Sequence, residues 1–98
     1  MKLADKSIFT MFEKRLELLY KLKDNGFYVR MHAYEYIVGT GDRIVTIILL
    51  EPNRNVVEVL RLERASDRDI ERVITTIKSL DPNVRVNVRF FGSEIELP

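Results

Sequence analysis

Between Arg43 and Glu51 the chain reads Ile-Val-Thr-Ile-Ile-Leu-Leu, seven residues with one polar side chain among them. β-Branched residues favour extended backbone, and extended backbone sends successive side chains to opposite sides. A strand of this composition is apolar on both faces, so it is buried on both sides or central in a sheet. Turn sequences bracket it: Gly39-Thr40-Gly41-Asp42 before, and Pro52-Asn53-Arg54-Asn55 after. Strands are predicted on either side, from Phe27 to Val38 and from Val56 to about Arg64. The short connections make all three antiparallel neighbours.

Two helices frame this meander. The first is predicted from about Ser7 to Asp24, opened by Asp5 or Ser7 and closed at Asn25-Gly26, where glycine can take the left-handed position. Its apolar residues cover an arc of roughly 200°, broader than a one-sided surface helix needs. Arg15 falls inside that arc and must either extend its head to water or pair with a carboxylate. The second helix opens at Ser66, with Asp69 three residues on in the pattern of a capping box. Ile70, Val73, Ile74, Ile77 and Leu80 then form one narrow apolar stripe that stops at Asp81-Pro82-Asn83. A last strand, Val84 to Phe91, alternates, with Val84, Val86, Val88 and Phe90 inward and Arg85, Asn87, Arg89 and Phe91 outward.

The expected fold is therefore α+β: a two-layer, four-stranded, largely antiparallel sheet with two helices, in the order α-β-β-β-α-β. Ninety-eight residues make one domain, 1–98, with 93–98 expected as a flexible tail of alternating acidic and apolar residues. No apolar run approaches the roughly 18 residues that span a membrane, and the first residues lack the pattern of a signal peptide, so a cytoplasmic location is expected. Cysteine is absent, which excludes disulfides, thiolate nucleophiles and cysteine metal sites. Glutamine is absent too, and with the high charged content this fits a thermophile.

Formal net charge is only +1, so attraction for a polyanion would have to come from charge placement. Beyond Lys23 there is one lysine, Lys78, against nine arginines, whose planar forks suit phosphates and whose faces stack on rings. In the first strand, two-residue alternation puts Tyr28, Arg30, His32 and Tyr34 on one face and Phe27, Val29, Met31 and Ala33 on the other. If the last strand lies beside the first, Arg85, Asn87 and Arg89 join that row. Arg43 and Arg61 could form its margins, and Tyr36 and Phe91 could extend it. Rings beside cations suit single-stranded nucleic acid, because bases stack on rings and phosphates pair with guanidinium groups. The same side chains also arise from cross-strand packing and surface ion pairs. Apolar residues on both sides of the middle and third strands raise a second reading, in which the outer sheet face buries itself in a homodimer.

Catalysis finds less support. A single histidine, His32, cannot make a two-histidine zinc site, and Gly39-Thr40-Gly41 lacks the Lys-Ser/Thr of a phosphate-binding loop. The element order resembles the core of restriction-endonuclease-like nucleases, in which carboxylates on two strands hold a divalent cation beside a lysine. Here Asp42 precedes a strand and Glu58-Val59-Leu60 has leucine where the lysine belongs, so the motif fails at its key position and favours an inactive relative over an active one. No cofactor, metal or turnover is expected.

The small size, the composition, the helix-then-sheet layout and the stripe of Tyr28, Arg30, His32 and Tyr34 together resemble the ThermoDBP-related proteins of thermophilic archaea. The resemblance covers the general layout of the chain and rests on no exact motif, so no family residue is carried over. It implies sequence-independent binding of single-stranded DNA or RNA in an apolar cleft bordered by basic residues. Tyr28, Arg30, His32, Tyr34, Arg85, Asn87 and Arg89 are the residues that the alternation assigns to such a surface.

Overall fold

A computed structural model describes residues 6–91, and the tail expected at 93–98 lies outside them. The chain forms helix α1 (Phe12–Asp24), strands β1 (Tyr28–His32), β2 (Glu35–Thr40), β3 (Arg43–Glu51) and β4 (Val56–Arg61), helix α2 (Asp67–Leu80) and strand β5 (Arg85–Phe90). The sheet therefore has five strands, not four, and is mixed: β1 to β4 form an antiparallel meander, and β5 runs parallel to β4. The additional strand comes from a bend in the segment expected as one strand from Phe27 to Val38. His32 pairs with Glu35 across a two-residue turn, Ala33-Tyr34, and Ala33 adopts φ 56°. Positive φ at the first turn position suits a hairpin, but alanine is a residue that gives no signal for it.

The ends of both helices follow from their local sequence. Gly26, at φ 93°, donates its N–H to Lys23 O, while the Phe27 N–H reaches Leu22 O. Those two bonds make a Schellman closure, with buried Phe27 and Leu22 as its apolar pair. Helix α1 starts later than the sequence suggests, because Met11 is extended and leaves Ile8–Thr10 as a separate 3-10 turn capped by Ser7. In α2 the capping box forms: Asp69 N–H donates to Ser66 Oγ at 3.0 Å, and Ser66 N–H donates to Asp69 Oδ2 at 3.1 Å.

Both helices pack on one side of the sheet. Leu18 and Leu22 of α1 and Ile70, Val73 and Ile77 of α2 meet Val29, Tyr36, Val38, Ile48, Leu50, Val57 and Val59 from the strands. Tyr36 is fully buried, and its hydroxyl donates to the Arg15 carbonyl at 2.7 Å. Burial pushes its phenol well above the ordinary value near 10, and the nearby Arg15 cation partly offsets that shift. Ser7 closes the far end of this layer: its hydroxyl donates to Asp81 Oδ2 at 2.6 Å, and both residues are buried.

The last strand lies at the opposite edge from the first. A β-strand, helix, parallel β-strand unit needs a crossover, and α2 supplies it between β4 and β5. The two rows of outward residues are therefore separated by the width of the sheet. Val88 and Phe90, expected inward, do lie on the helix side, yet they remain 46% and 49% exposed at this uncovered edge.

Candidate functional site

With both helices on one face, the other face of the sheet is open among the described residues. Its residues align in rows across the strands, because register pairs share a face. One row runs Arg30–Ile37–Ile47–Leu60–Arg89 from β1 to β5. The next runs His32–Glu35–Leu49–Glu58–Asn87. On the other side of the first row, Tyr28 pairs with Gly39 and Gly39 with Ile44. The surface thus has an aliphatic band along its middle and polar or charged groups at both edges. Ile37 and Ile44 are exposed, Ile47 and Leu49 are half-buried, and Leu60 is buried between its neighbours.

Each residue singled out from the sequence has a definite place. Tyr28, Arg30 and His32 project together from edge strand β1, all exposed, as alternation predicts. Tyr34 does not join them. It sits in the hairpin turn, where the Arg15 guanidinium lies 4.2 Å from its ring centre while donating to the carbonyls of Phe9 and Thr10. That arrangement resolves Arg15 differently from either expectation, since its partners are a ring and two carbonyls. The same turn reverses parity, which sends Tyr36 to the core instead of the open face.

Arg85, Asn87 and Arg89 do project outward, but about 19 Å from the β1 row, given four strand spacings of about 4.8 Å. Arg89 Nε lies 3.3 Å from Glu58 Oε1, and Asn87 Nδ2 donates to Glu58 Oε2 at 3.3 Å. Among the described residues Arg30 and Arg85 have no ion pair. Arg43 and Arg61 lie on the helix side, paired with Asp69 at 3.7 Å and Asp67 at 2.8 Å, so they anchor the start of α2 instead of bordering the open face. Phe91 is half-buried, with its N–H donated to Arg61 O.

Electrostatically this face is balanced. Arg30, Arg85 and Arg89 are set against Glu35, Glu51 and Glu58, whose positions follow from the same alternation. Among the described residues its exposed rings in a strand are Tyr28 and the His32 imidazole, both on edge strand β1. Chemically, the centre can exclude water from an apolar partner, and the edges can take charged groups of either sign.

The carboxylates weighed for a nuclease do not meet. Asp42 lies in the turn before β3 and Glu58 pairs with Leu49 near the far end of that strand, roughly 20 Å away along the chain direction. Among the described residues no group of three or more histidine, cysteine, aspartate or glutamate side chains could hold a metal ion. The hollows are surface grooves, one of about 390 Å³ between the helices, lined by Lys21, Asp24, Asn25, Glu71, Arg72 and Thr76 among others. Arg72 crosses it, donating to Asn25 O with its guanidinium 4.5 Å from the Phe27 ring centre. The groove's Thr76 and Ser79 hydroxyls donate to the Arg72 and Thr76 carbonyls.

Among the described residues no helix is long and apolar enough to cross a membrane. No family model matches the chain, and neither the curated proteins nor the solved structures include a match to it. Fold and surface together define the class: a small α+β domain with one helix-covered sheet face and one open face.

Proposed function

We propose that the protein is a cytoplasmic association module that works without cofactor or turnover, and that its open sheet face packs against a second copy of itself. The row Arg30–Ile37–Ile47–Leu60–Arg89 carries this reading. It reads nearly the same from either edge, and so does the neighbouring row with Leu49 at its centre. A two-fold axis along the strands then lays Ile37, Ile47, Leu49 and Leu60 on apolar residues of the second copy, as an isologous contact requires, and sets Glu35 opposite a Glu58 whose charge Arg89 and Asn87 offset. The usual offset of about −30° between aligned sheets moves the edges by roughly 5 Å along the strands, so the arginines at the row ends are not superposed. The face spans roughly 20 Å by 24 Å in projection. As accessible surface this approaches the about 800 Å² per partner of a standard interface.

Light scattering across a concentration series tests it. A species of twice the 11.5 kDa chain mass is expected, and Ile37→Lys with Leu49→Lys should return it to one chain mass with the fold retained. A concentration-independent monomer would sink the reading.

A second reading is single-stranded nucleic acid laid across the same face, as DNA or RNA. It draws on the layout of an aliphatic band bordered by Arg30 and Arg85, two cations with no carboxylate partner among the described residues, with Tyr28 and His32 alongside. Affinity for a labelled oligothymidine should then fall steeply with salt, and Arg30→Ala should flatten that slope. The absence of binding at low salt would remove it.

A further inference from the structure

We propose that the edge of β5 that the described residues leave unpaired accepts an added strand from a partner protein, an extended segment in which acidic and apolar residues alternate. The hydrogen-bond pattern defines the acceptor edge. Arg85 N–H donates to Asn55 O at 3.0 Å and Phe91 N–H to Arg61 O at 2.8 Å, so the odd-numbered residues of β5 face β4. In a parallel pair the intervening residues turn their N–H and C=O groups the other way. Val86, Val88 and Phe90 therefore present three donors and three acceptors to a side where the described residues place no strand.

The side chains flanking this edge specify what fits. On the helix side Val88 and Phe90 are about half exposed, which is unusual for a valine and a phenylalanine beside unpaired backbone. On the open side stand Arg85, which has no ion pair among the described residues, and Arg89, whose Nε lies 3.3 Å from Glu58 Oε1 with the rest of the guanidinium exposed. An edge protected against pairing carries charge or proline where a partner would approach, whereas here one side is bare apolar surface. An incoming strand continues the sheet, so its side chains fall alternately beside the apolar pair and beside the arginines. Apolar residues at one parity and carboxylates at the other satisfy both. A second β5 does not, because the antiparallel register that pairs Val88 with Val88 sets Arg89 beside Asn87 and Arg85 beside Phe91, with no carboxylate opposite either arginine.

The backbone edge is separate from the aliphatic band at the centre of the open face, although Arg89 belongs to both surfaces, and the Ile37→Lys, Leu49→Lys chain should bind the strand as well as the parent does. The experiment is a fluorescence anisotropy titration of the full chain with labelled Glu-Ile-Glu-Val-Glu-Ile and with Lys-Ile-Lys-Val-Lys-Ile. Saturable binding of the acidic peptide is expected, with the lysine peptide weaker by about tenfold or more. Val88→Pro removes an outward N–H and no bond to β4, so it should weaken binding by about tenfold with circular dichroism unchanged. Phe90→Ser should weaken it as well, and Arg85→Glu with Arg89→Glu should reverse the peptide preference. Equal binding by parent and both edge variants would overturn the proposal. So would failure of both peptides to bind, and if Val88→Pro also lowered the stability of the free chain, the edge would belong to an occupant within the chain itself.

Discussion

Ile47 and Ile48 are neighbours on β3, yet Ile48 is fully buried beneath the helices while Ile47 stays half-exposed on the open side. The same contrast holds along β2, where Val38 is fully buried and Ile37 is 40% exposed. At these central positions both faces are aliphatic, so what distinguishes Ile37 and Ile47 from Val38 and Ile48 is the cover. One face has α1 and α2, whose stripes complete a close-packed layer. Among the described residues the other has only the side chains of its own rows, and its aliphatic band stays accessible. Hydrophobic patterning thus reports which residues are to be buried, without saying whether the same chain or another one buries them.

Substitutions that divide the two faces test this contrast. The largest effect is expected at Ile77, buried between α2 and the sheet, where Ile77→Ala should cost about 2 to 5 kcal/mol in denaturant unfolding. A loss below about 1 kcal/mol would mean that the helix layer is looser than its burial implies. Next comes Asp81→Ala, which strips the buried Ser7 hydroxyl of its acceptor and should cost about 1.5 to 3 kcal/mol by the same measurement.

Tyr36→Phe should cost about 1 kcal/mol for its one hydrogen bond, and it carries a pH signature. The folded phenol is raised above the unfolded value near 10. The neutral form therefore favours folding fully below pH 10, and this contribution fades as pH rises beyond it because the unfolded chain ionises first. The Tyr36→Phe chain should lose less stability than the parent on going to alkaline pH, and parallel pH curves would contradict the buried placement. Ala33→Gly should stabilise by about 0.5 to 1 kcal/mol, since glycine takes φ 56° without a Cβ penalty. The smallest change belongs to the open face: Ile37→Ser, measured at a concentration where the chain is monomeric, should shift stability by less than about 0.5 kcal/mol. A core-sized loss there would erase the distinction between the faces.

Elements encoded by neighbouring residues were legible in the sequence. The α2 stripe, its Ser66 and Asp69 cap, the closure of α1 at Gly26 and the bounds of β3 all appear where propensity, capping and alternation place them. The bend at Ala33-Tyr34 was not legible, because no glycine, asparagine or proline marks it and the alternation of Phe27 to Tyr36 runs straight through. A two-residue hairpin pairs His32 with Glu35, so even-numbered residues of β1 share a face with odd-numbered residues of β2. That one reversal moved Tyr34 and Tyr36 off the open face. The position of β5 was hidden for a different reason. A crossover helix fixes parallel pairing with a strand that only the assembled sheet identifies, and the whole charge map of the open face depends on it. Tyr28, Arg30 and His32 were readable because they lie within a single uninterrupted strand.

The Ser7–Asp81 hydrogen bond joins residues 74 positions apart. Loop closure of that length is entropically costly and contributes nothing until both ends are in place. The three antiparallel hairpins can zip from local contacts, whereas this clasp waits for α2 to dock. Local contacts therefore favour early pairing of the meander, and hydrogen exchange should find the N-terminal turn opening before the strands do.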